Sequence, residues 1–564
     1  MSARPRFERT TIIFGLFFAL TGFFVFKLFE RQVLEHSQFA QAAEDQSTST
    51  SAQPAQRGQI LAKDKDGKLF ALAVSDWQYQ LIISPRQVKN PDKLVAALKE
   101  DLPTLDTAEV SKKIDNDKIY IPAVLKGIDG KTAERISAKD YAGVFLVPTL
   151  IRVYPDGPNI ASQVLGFIGA DGEGKYGIEA THDKDLRGRA GDEKTKRDSF
   201  GRLIDILGGR EAEAGKDVVL TIDYNLQFTV ETELKKAVEE FQADSGSIVV
   251  MDPKTGAVLA LAGQPNFDPN KFTELPAAEQ FKFLMPAVSN VYEAGSVFKP
   301  LTMAMAIDLN HVQPDTTNTF GKSVTVNGKE IFNAELDAFG TETMTQVLEN
   351  SDNVAMVWLS SLIGAEKERE YFEKFGIGTK TGVDLVGEQS GRLPPQKEWN
   401  DLLRSTAAFG QGVSTTVVQL AAAYSVIANG GLTVSPHLVD KYIIGDKTEL
   451  VEVKSGNQVI STETAAKVRG MLVSVVEKGH GKRARVEGIR VGGKTGTAQV
   501  PDPSGGYYED RHTGTFAGLF PADDPRFVMV VRLDNPKTVR FAESSAAPTF
   551  GKIANWITNY YGLR

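Results

Sequence analysis

Residues 293–300 read Glu-Ala-Gly-Ser-Val-Phe-Lys-Pro and decide the fold of this chain. Ser296 and Lys299 form its single Ser-x-x-Lys pair, and an apolar stretch follows as far as Asp308. Proline is tolerated only near the start of a helix, so Pro300 places Ser296 in the first helical turn. A spacing of three residues puts the hydroxyl and the amine on one helical face, where a neutral lysine can take the hydroxyl proton. An ordinary helix start with an exposed lysine is the alternative interpretation.

A Ser-x-Asn triplet is the second element of the candidate site, and it occurs twice. Ser351-Asp352-Asn353 precedes an apolar helix, so Ser351 and Asn353 are predicted in a loop that faces the first helix. There they can relay a proton to a leaving amine and hold Lys299 in place. Helix capping, for which all three residue types are suited, is the other interpretation, and both can hold together. Residues 455–457 lie between two alternating runs and are predicted to form a surface hairpin turn.

Lys-Thr-Gly is the third element, and its three copies must be separated by context. Residues 254–256 join two apolar runs and are predicted to form the tip of a hairpin. Residues 380–382 lie in a glycine-rich stretch and are predicted to form a structural loop. Residues 494–496 lie within 491–500, which can run as an extended strand. The third copy is therefore selected for the site.

The selected strand offers groups that suit a peptide carboxylate. Lys494 supplies a cation and Thr495 a hydroxyl, while Gly496 lets a substrate backbone approach closely. The backbone N–H groups of Thr497 and Ser296 are predicted to form an oxyanion hole.

Bulk composition narrows the remaining possibilities. The 564 residues suggest two or three folded units, and a net charge of −8 argues against broad nucleic-acid binding. With no cysteine in the chain, disulfides and thiolate nucleophiles are excluded. The six histidines are far apart, and no Gly-x-Ser-x-Gly elbow is present, so a histidine-based triad is disfavoured.

The N-terminus carries an apolar stretch long enough to cross a membrane. Residues 11–29 span roughly 28 Å as a helix, close to the ~30 Å hydrocarbon core. Arg4, Arg6 and Arg9 precede the stretch, which predicts a cytoplasmic N-terminus and an extracytoplasmic remainder. A cleaved signal peptide is the competing interpretation. No second such stretch is present, so a single pass through the cytoplasmic membrane is expected.

Pattern changes along the chain predict its organisation. A short strand at 217–223 and strand-rich segments from about 487 to 533, with helices between them, predict a mixed α/β domain whose sheet joins early and late parts of the chain. The predicted segments are a cytoplasmic tail (1–10), a transmembrane helix (11–29), a linker (30–56), a strand-rich pedestal (57–214) and the α/β domain (215–564).

The order Ser-x-x-Lys, Ser-Asp-Asn, Lys-Thr-Gly is the set described for penicillin-binding proteins and serine β-lactamases. The chain resembles the class B, monofunctional penicillin-binding proteins over nearly its whole length. Further similar segments lie at 57–58, 152–155, 164–167, 177–179, 246–270, 375–378, 382–385, 409–412 and 514–521. The stretch after Arg57-Gly58 departs from the Asp-Arg-x-Gly pattern that is usual in this family.

The resemblance implies a transpeptidase fold and a serine acyl-enzyme mechanism. Ser296 is implied to attack the D-Ala-D-Ala end of a peptidoglycan stem peptide, with Lys299 as the base. The resemblance implies that Ser351, Asn353 and Lys494 shuttle protons and position the substrate. It also implies that Thr495 and Thr497 bind the terminal carboxylate of the peptide. Penicillins are implied to acylate Ser296, and no metal or organic cofactor is implied.

The amino-acid sequence of residues 293–300 favours the septal, cell-division branch of this family, with the lateral-wall elongation branch as the alternative. The resemblance also implies a polytopic glycan polymerase and division-complex proteins as membrane partners. A β-lactamase or penicillin sensor usually lacks a pedestal, and a bifunctional enzyme would need a further domain before it. An inactive scaffold is the rival that is not an enzyme.

Overall fold

The computed structural model describes residues 9–114, 121–157, 160–197, 203–334, 336–502 and 504–564. Arg4 and Arg6, which support the predicted orientation, lie outside these residues. The described helices, in chain order, are α1 (Arg9–Phe29), α2 (His36–Ser47), α3 (Pro91–Asp101), α4 (Thr107–Lys113), α5 (Gly130–Ala138), α6 (Ser162–Leu165), α7 (Gly177–Thr181), α8 (Asp183–Arg187), α9 (Tyr224–Phe241), α10 (Pro286–Ser289), α11 (Lys299–Asp308), α12 (Met344–Asn350), α13 (Asn353–Ile363), α14 (Ala365–Lys374), α15 (Asp401–Ala407), α16 (Val417–Ala428), α17 (Thr462–Glu477) and α18 (Ala546–Tyr560).

The described strands form sheets of two to seven members. They are β1 (Thr48–Gln53), β2 (Ile60–Lys63), β3 (Leu69–Ile83), β4 (Ile121–Ile128), β5 (Val144–Val153), β6 (Gly191–Arg197), β7 (Leu203–Arg210), β8 (Asp217–Asp223), β9 (Ser245–Met251), β10 (Val258–Gln264), β11 (Thr317–Phe320), β12 (Ser323–Val326), β13 (Lys329–Phe332), β14 (Gly340–Thr343), β15 (Val439–Ile444), β16 (Lys447–Leu450), β17 (Gly492–Pro501), β18 (Tyr507–Phe520) and β19 (Phe527–Asp534).

The smaller of two compact units comprises residues 1–56 and 188–214. Its helix α1 continues as a π-helical turn over Glu30–Leu34, and its large apolar side chains are exposed. At ~1.5 Å per residue, the 21 residues of α1 span roughly 31 Å. Within the described residues, this is the single helix long and apolar enough to cross a membrane. The segment predicted as a linker contains α2 and β1, and β1 pairs with the antiparallel hairpin β6–β7.

The larger unit comprises residues 57–187 and 215–564, and a five-stranded sheet is one of its two main sheets. The strand order β10-β9-β19-β18-β17 joins early and late parts of the chain, as predicted. The run Ile248–Met251 is buried completely because helices cover both faces. Helices α9 and α18 pack on one side and α16 on the other. The sheet therefore gives β17 a rigid base.

A seven-stranded sheet is the second main sheet of this unit, with the order β16-β15-β8-β2-β3-β4 and β5 also paired with β3. The predicted strand at 217–223 is β8, but its partners were not predicted. It runs parallel to β2, with Ile60 opposite Val218, and antiparallel to β15. A Cβ at Gly58 would lie 1.9 Å from the Lys216 carbonyl oxygen, so only glycine permits this approach.

One buried carboxylate joins three of the four upstream segments that resemble pedestal motifs. Arg57 Nε and Arg152 Nε each donate to Glu179 at 2.7 Å, and the Tyr154 hydroxyl donates at 3.3 Å. Glu179 is completely buried, and Arg57 also pairs with Asp183 at 2.9 Å. Two cations thus compensate a carboxylate that could not be buried alone.

Candidate active site

The segment bearing Ser296 begins as a 3-10 turn over Gly295–Phe298 and continues directly as α11. Pro300 lies in the first turn of α11, as predicted. Every residue of α11 up to Ile307 is buried, whereas Ser296 remains half-buried. The nucleophile candidate therefore sits where a core helix meets the surface.

Neighbouring elements brace this turn. The Gly295 N–H donates to the Gly410 carbonyl at 3.2 Å, and the Tyr424 hydroxyl donates to the Val297 carbonyl at 2.8 Å. Gly295 has φ +63°, and a Cβ at Gly410 would lie 2.3 Å from the Gly295 carbonyl oxygen. Both positions therefore require glycine.

Lys299 is completely buried and is bound to the second predicted element. Its Nζ donates to the Ser351 carbonyl at 2.5 Å and to the Ser351 hydroxyl at 3.1 Å. Burial, with a smaller contribution from the Lys494 cation, places the pKa of Lys299 well below its ordinary value, while Asp352 and Glu342 oppose that shift. A neutral amine beside Ser296 can act as a base.

The Ser351–Asn353 loop joins two helices. Ser351 ends α12 in the left-handed conformation, with φ +59°, and Asp352 begins α13 by accepting from the Ala355 N–H at 2.7 Å. The Asn353 side chain donates to the Phe332 carbonyl at 2.9 Å. The loop therefore caps helices, and it also binds Lys299 through Ser351.

Strand β17 carries the selected Lys-Thr-Gly copy and forms one edge of the five-stranded sheet. Lys494 is completely buried, with Nζ 3.1 Å from the Thr495 carbonyl oxygen. Burial lowers the pKa of Lys494 to about 7, and Glu543 opposes the shift. Burial thus favours the neutral amine of both lysines, and Lys494 can exchange a proton near neutral pH.

Gly496 and Thr497 bring this strand against the nucleophile turn. A Cβ at Gly496 would lie 2.7 Å from the Ala294 carbonyl oxygen. Glycine at this position therefore lets the strand pack closely against the nucleophile turn. The Thr497 hydroxyl accepts from the Ala542 N–H at 3.0 Å. All three predicted elements therefore meet around the turn that carries Ser296.

The other copies of the two triplets have structural contacts. Residues 254–256 form the turn between β9 and β10, as predicted. In the loop at 380–382, Glu388 accepts from the Thr381 N–H at 2.7 Å and from the Gly382 N–H at 3.1 Å. Residues 455–457 do not form the predicted hairpin turn; they lie in an irregular segment in which the Asn457 N–H donates to the Thr433 hydroxyl.

Comparison with known proteins then identifies the family. The model described as "Penicillin binding protein transpeptidase domain" matches residues 246–555, more than half of the chain. The chain belongs to the penicillin-binding proteins. A second model, "Penicillin-binding Protein dimerisation domain", matches residues 52–220 of this penicillin-binding protein.

This penicillin-binding protein has relatives along most of its length. It is 37% identical to stage V sporulation protein D of Bacillus subtilis, with 88% of this chain and 77% of that protein covered. It is 30% identical to the peptidoglycan D,D-transpeptidase FtsI of Escherichia coli, with 79% and 73% covered. The crystal structure of penicillin-binding protein 3 from Mycobacterium tuberculosis with aztreonam matches with a TM-score of 0.71 at 29% identity, covering 91% and 97%.

Several side chains at the site of this penicillin-binding protein were not selected from the sequence. Tyr507 on β18 donates to Glu293 at 2.8 Å, and Glu293 also accepts from the Gly412 N–H. Asn333 accepts from the Asn353 N–H at 2.7 Å. Tyr507 and Asn333 lie in no recognisable motif, because tertiary pairing rather than local spacing brings them to the site. Among the described residues, no group of three histidine or acidic side chains could hold a metal ion.

Proposed function

We propose that this penicillin-binding protein cross-links peptidoglycan as a D,D-transpeptidase through an acyl-enzyme on Ser296. The observation that carries the proposal is the environment of Lys299, which lies one helical turn after Ser296. Lys299 is buried, its neutral amine is favoured, and it donates a hydrogen bond to Ser351. Relatives named peptidoglycan D,D-transpeptidase support the same reaction class.

In the acylation step, the Ser296 hydroxyl oxygen attacks the carbonyl between the two terminal D-Ala residues of a stem peptide. Lys299 accepts the hydroxyl proton, which passes through Ser351 to the departing D-Ala amine. The backbone N–H groups of Ser296 and Thr497 stabilise the developing oxyanion. The products are an ester on Ser296 and free D-Ala.

Substrate positioning falls to the remaining predicted site residues. Thr495 and Thr497 bind the terminal carboxylate, Lys494 and Asn353 orient the peptide, and Gly496 keeps the strand close to the nucleophile turn. In the second half-reaction, an amine of a neighbouring stem attacks the ester, and its proton returns to Ser296 through Lys299. The new amide bond is the cross-link.

The proposed place of action is the division septum. Support comes from residues 293–300 and from the likeness to FtsI, and lateral-wall elongation is the alternative. Depletion of the protein distinguishes the two branches, because filamentous cells indicate division and rounded cells indicate elongation.

The proposed topology is a single pass with the N-terminus in the cytoplasm and residues 57–564 outside. The apolar helix α1 supports an anchor, and the N-terminal arginines support the orientation. A polytopic glycan polymerase and division-complex proteins are the proposed membrane partners. Alkaline phosphatase fused after Arg564 should be active in cells, because this enzyme is active only outside the cytoplasm. An inactive fusion would indicate the opposite orientation.

A fluorescent penicillin tests the nucleophile. Wild-type protein should gain a covalent label, and Ser296→Ala should gain none although it melts at the wild-type temperature. A label that persists for hours separates a transpeptidase from a β-lactamase. Label on the Ser296→Ala variant would show that another residue is the nucleophile, and a folded but unlabelled wild type would favour the scaffold alternative.

A further inference from the structure

Two carboxyl groups are buried beneath the loop that binds Lys299. Glu342 is the third residue of β14 and is 3% exposed, and Asp352, after Ser351, is completely buried. Helix α12 separates them in sequence, yet the two side chains lie within hydrogen-bonding reach of each other. Two carboxyl groups can share a hydrogen bond only if one of them carries a proton.

The other hydrogen bonds of the pair locate that proton. Asp352 Oδ1 accepts from the Ala355 N–H at 2.7 Å, and Oδ2 accepts from the Asn333 amide at 3.3 Å. Glu342 Oε1 accepts from the Asn350 amide at 2.6 Å, whereas its buried Oε2 receives no donor. A proton on Glu342 Oε2 satisfies this atom and supplies the bond to Asp352. Consistently, burial and then, more weakly, the Asp352 charge raise the pKa of Glu342 to about 7.

We propose that Glu342 is a positioning residue for Lys299, and that its protonated carboxyl donates to Asp352 and thereby holds the Ser351 loop. The inference rests on the proposed function, in which Lys299 is the base. Ser351 needs such support because its left-handed backbone is unfavourable for a residue with a side chain. With the proton in place, the carboxyl pair carries one negative charge rather than two.

The charge of the pair acts on Lys299. Asp352 and Glu342 both raise the pKa of Lys299, against burial and Lys494. The charged groups that face Glu342 are Asp352, Glu349 and Lys299 itself. When rising pH removes the Glu342 proton, a second negative charge favours the ammonium form of Lys299 and breaks the bond to Asp352. Ionised Glu342 should therefore slow acylation.

The test measures the acylation rate constant of the full chain in detergent with a fluorescent penicillin, between about pH 5 and 9. Glu342→Gln keeps a donor toward Asp352 and an acceptor for Asn350 but does not titrate in this range. The variant should acylate within about twofold of wild type at pH 6 because both bonds persist. Its rate relative to wild type should then rise above pH 7.

Two further variants separate the bond from the charge. Glu342→Leu leaves Asp352 without its donor and should lose about tenfold below pH 7, with a smaller difference from wild type above pH 7, where wild type has lost the same bond. Glu349→Gln removes a neighbouring charge that is paired with the Ser474 hydroxyl and that raises the pKa of Glu342, so the loss of rate at high pH should begin at a slightly lower pH than in wild type. A pH-independent ratio for Glu342→Gln, or a loss equal to that of Glu342→Leu, would overturn the inference.

Infrared spectroscopy shows whether Glu342 is protonated, independently of any measurement of activity. In the Ser296→Ala background, the difference between Glu342 and Glu342→Gln proteins should contain the carbonyl band of a protonated carboxylic acid at pH 6. The band should disappear at alkaline pH, and its absence at pH 6 would refute the shared proton. A wild type that fails to acylate while the band is present would count against the proposed function alone.

Discussion

Lys299 lies in a buried environment that favours its neutral amine, and Lys494 adds to that effect as a nearby cation. The base form of Lys299 becomes more populated as the pH rises, so the acylation rate should rise with pH on the acid side of its profile. The position of this rise reports the pKa of Lys299 separately from the maximal rate.

We expect Lys494→Gln to move the rise to higher pH, because the variant removes a cation that lowers the pKa of Lys299. The maximal rate should also fall, since Lys494 is proposed to position substrate. The measurement is the penicillin acylation rate against pH. Lys254→Gln is the matched control, because it changes the hairpin copy of the same triplet, where the lysine pairs with Asp524 on the surface. A rise that stays at the wild-type pH in Lys494→Gln would contradict the coupling.

Among the elements, α12 ends at the site, so its start matters to the chemistry. Thr343 and Gln346 form a capping box there, in which the Thr343 hydroxyl accepts from the Gln346 N–H. We expect Thr343→Ala to destabilise the protein by about 1 kcal/mol and also to slow acylation, because α12 carries Ser351 at its end. Thermal denaturation and the acylation rate measure the two effects.

Asn90→Ala provides the control for this prediction. Asn90 caps α3 by accepting from the Lys93 N–H at 3.0 Å, in a helix whose buried side chains share a core with strands β3 and β4. Its loss should have a similar effect on stability but leave acylation unchanged. Equal slowing in both variants would mean that stability, rather than the placement of Ser351, limits the rate.

Local patterns predicted the elements better than their partners. The hairpin β9–β10 follows directly from two apolar runs joined by a Pro-Lys-Thr-Gly turn, and Pro300 located the start of α11. The pairing of β8 with β2 escaped prediction because parallel neighbours far apart in sequence share no local turn. Asn333 and Glu342 were not predicted as site residues either, because they too reach the site through tertiary contacts that no local pattern marks.

At the scale of the whole molecule, Glu179 holds segments of the pedestal together. Glu179→Gln would leave Arg152 buried with a neutral partner and Arg57 with Asp183 as its remaining carboxylate, which we expect to cost about 3–5 kcal/mol of unfolding free energy. Chemical denaturation measures the loss. Glu463→Gln, which breaks an exposed pair with Lys467 on α17, should leave the unfolding free energy nearly unchanged. Equal losses of unfolding free energy in the two variants would contradict a stabilising role for the buried ion pairs of Glu179.

The seven-stranded sheet makes a second prediction at this scale. A fragment of residues 215–564 would lose β2, the parallel partner of β8, and we expect it neither to unfold cooperatively nor to react with penicillin. A fragment of residues 57–564 retains the sheet and should do both. Calorimetry and penicillin labelling compare them, and a reactive, cooperatively folded 215–564 fragment would show that the sheet is dispensable.

Continuous pairing between β2 and β8 also constrains how such a gene can change by exchange with its relatives. A crossover between codons 187 and 215 would join a foreign β8 to a native β2, and the narrow approach of Gly58 to the Lys216 carbonyl would have to survive the join. Hybrids that inherit residues 57–564 from one parent avoid that mismatch. The catalytic region should therefore be inherited together with its pedestal, as a single block.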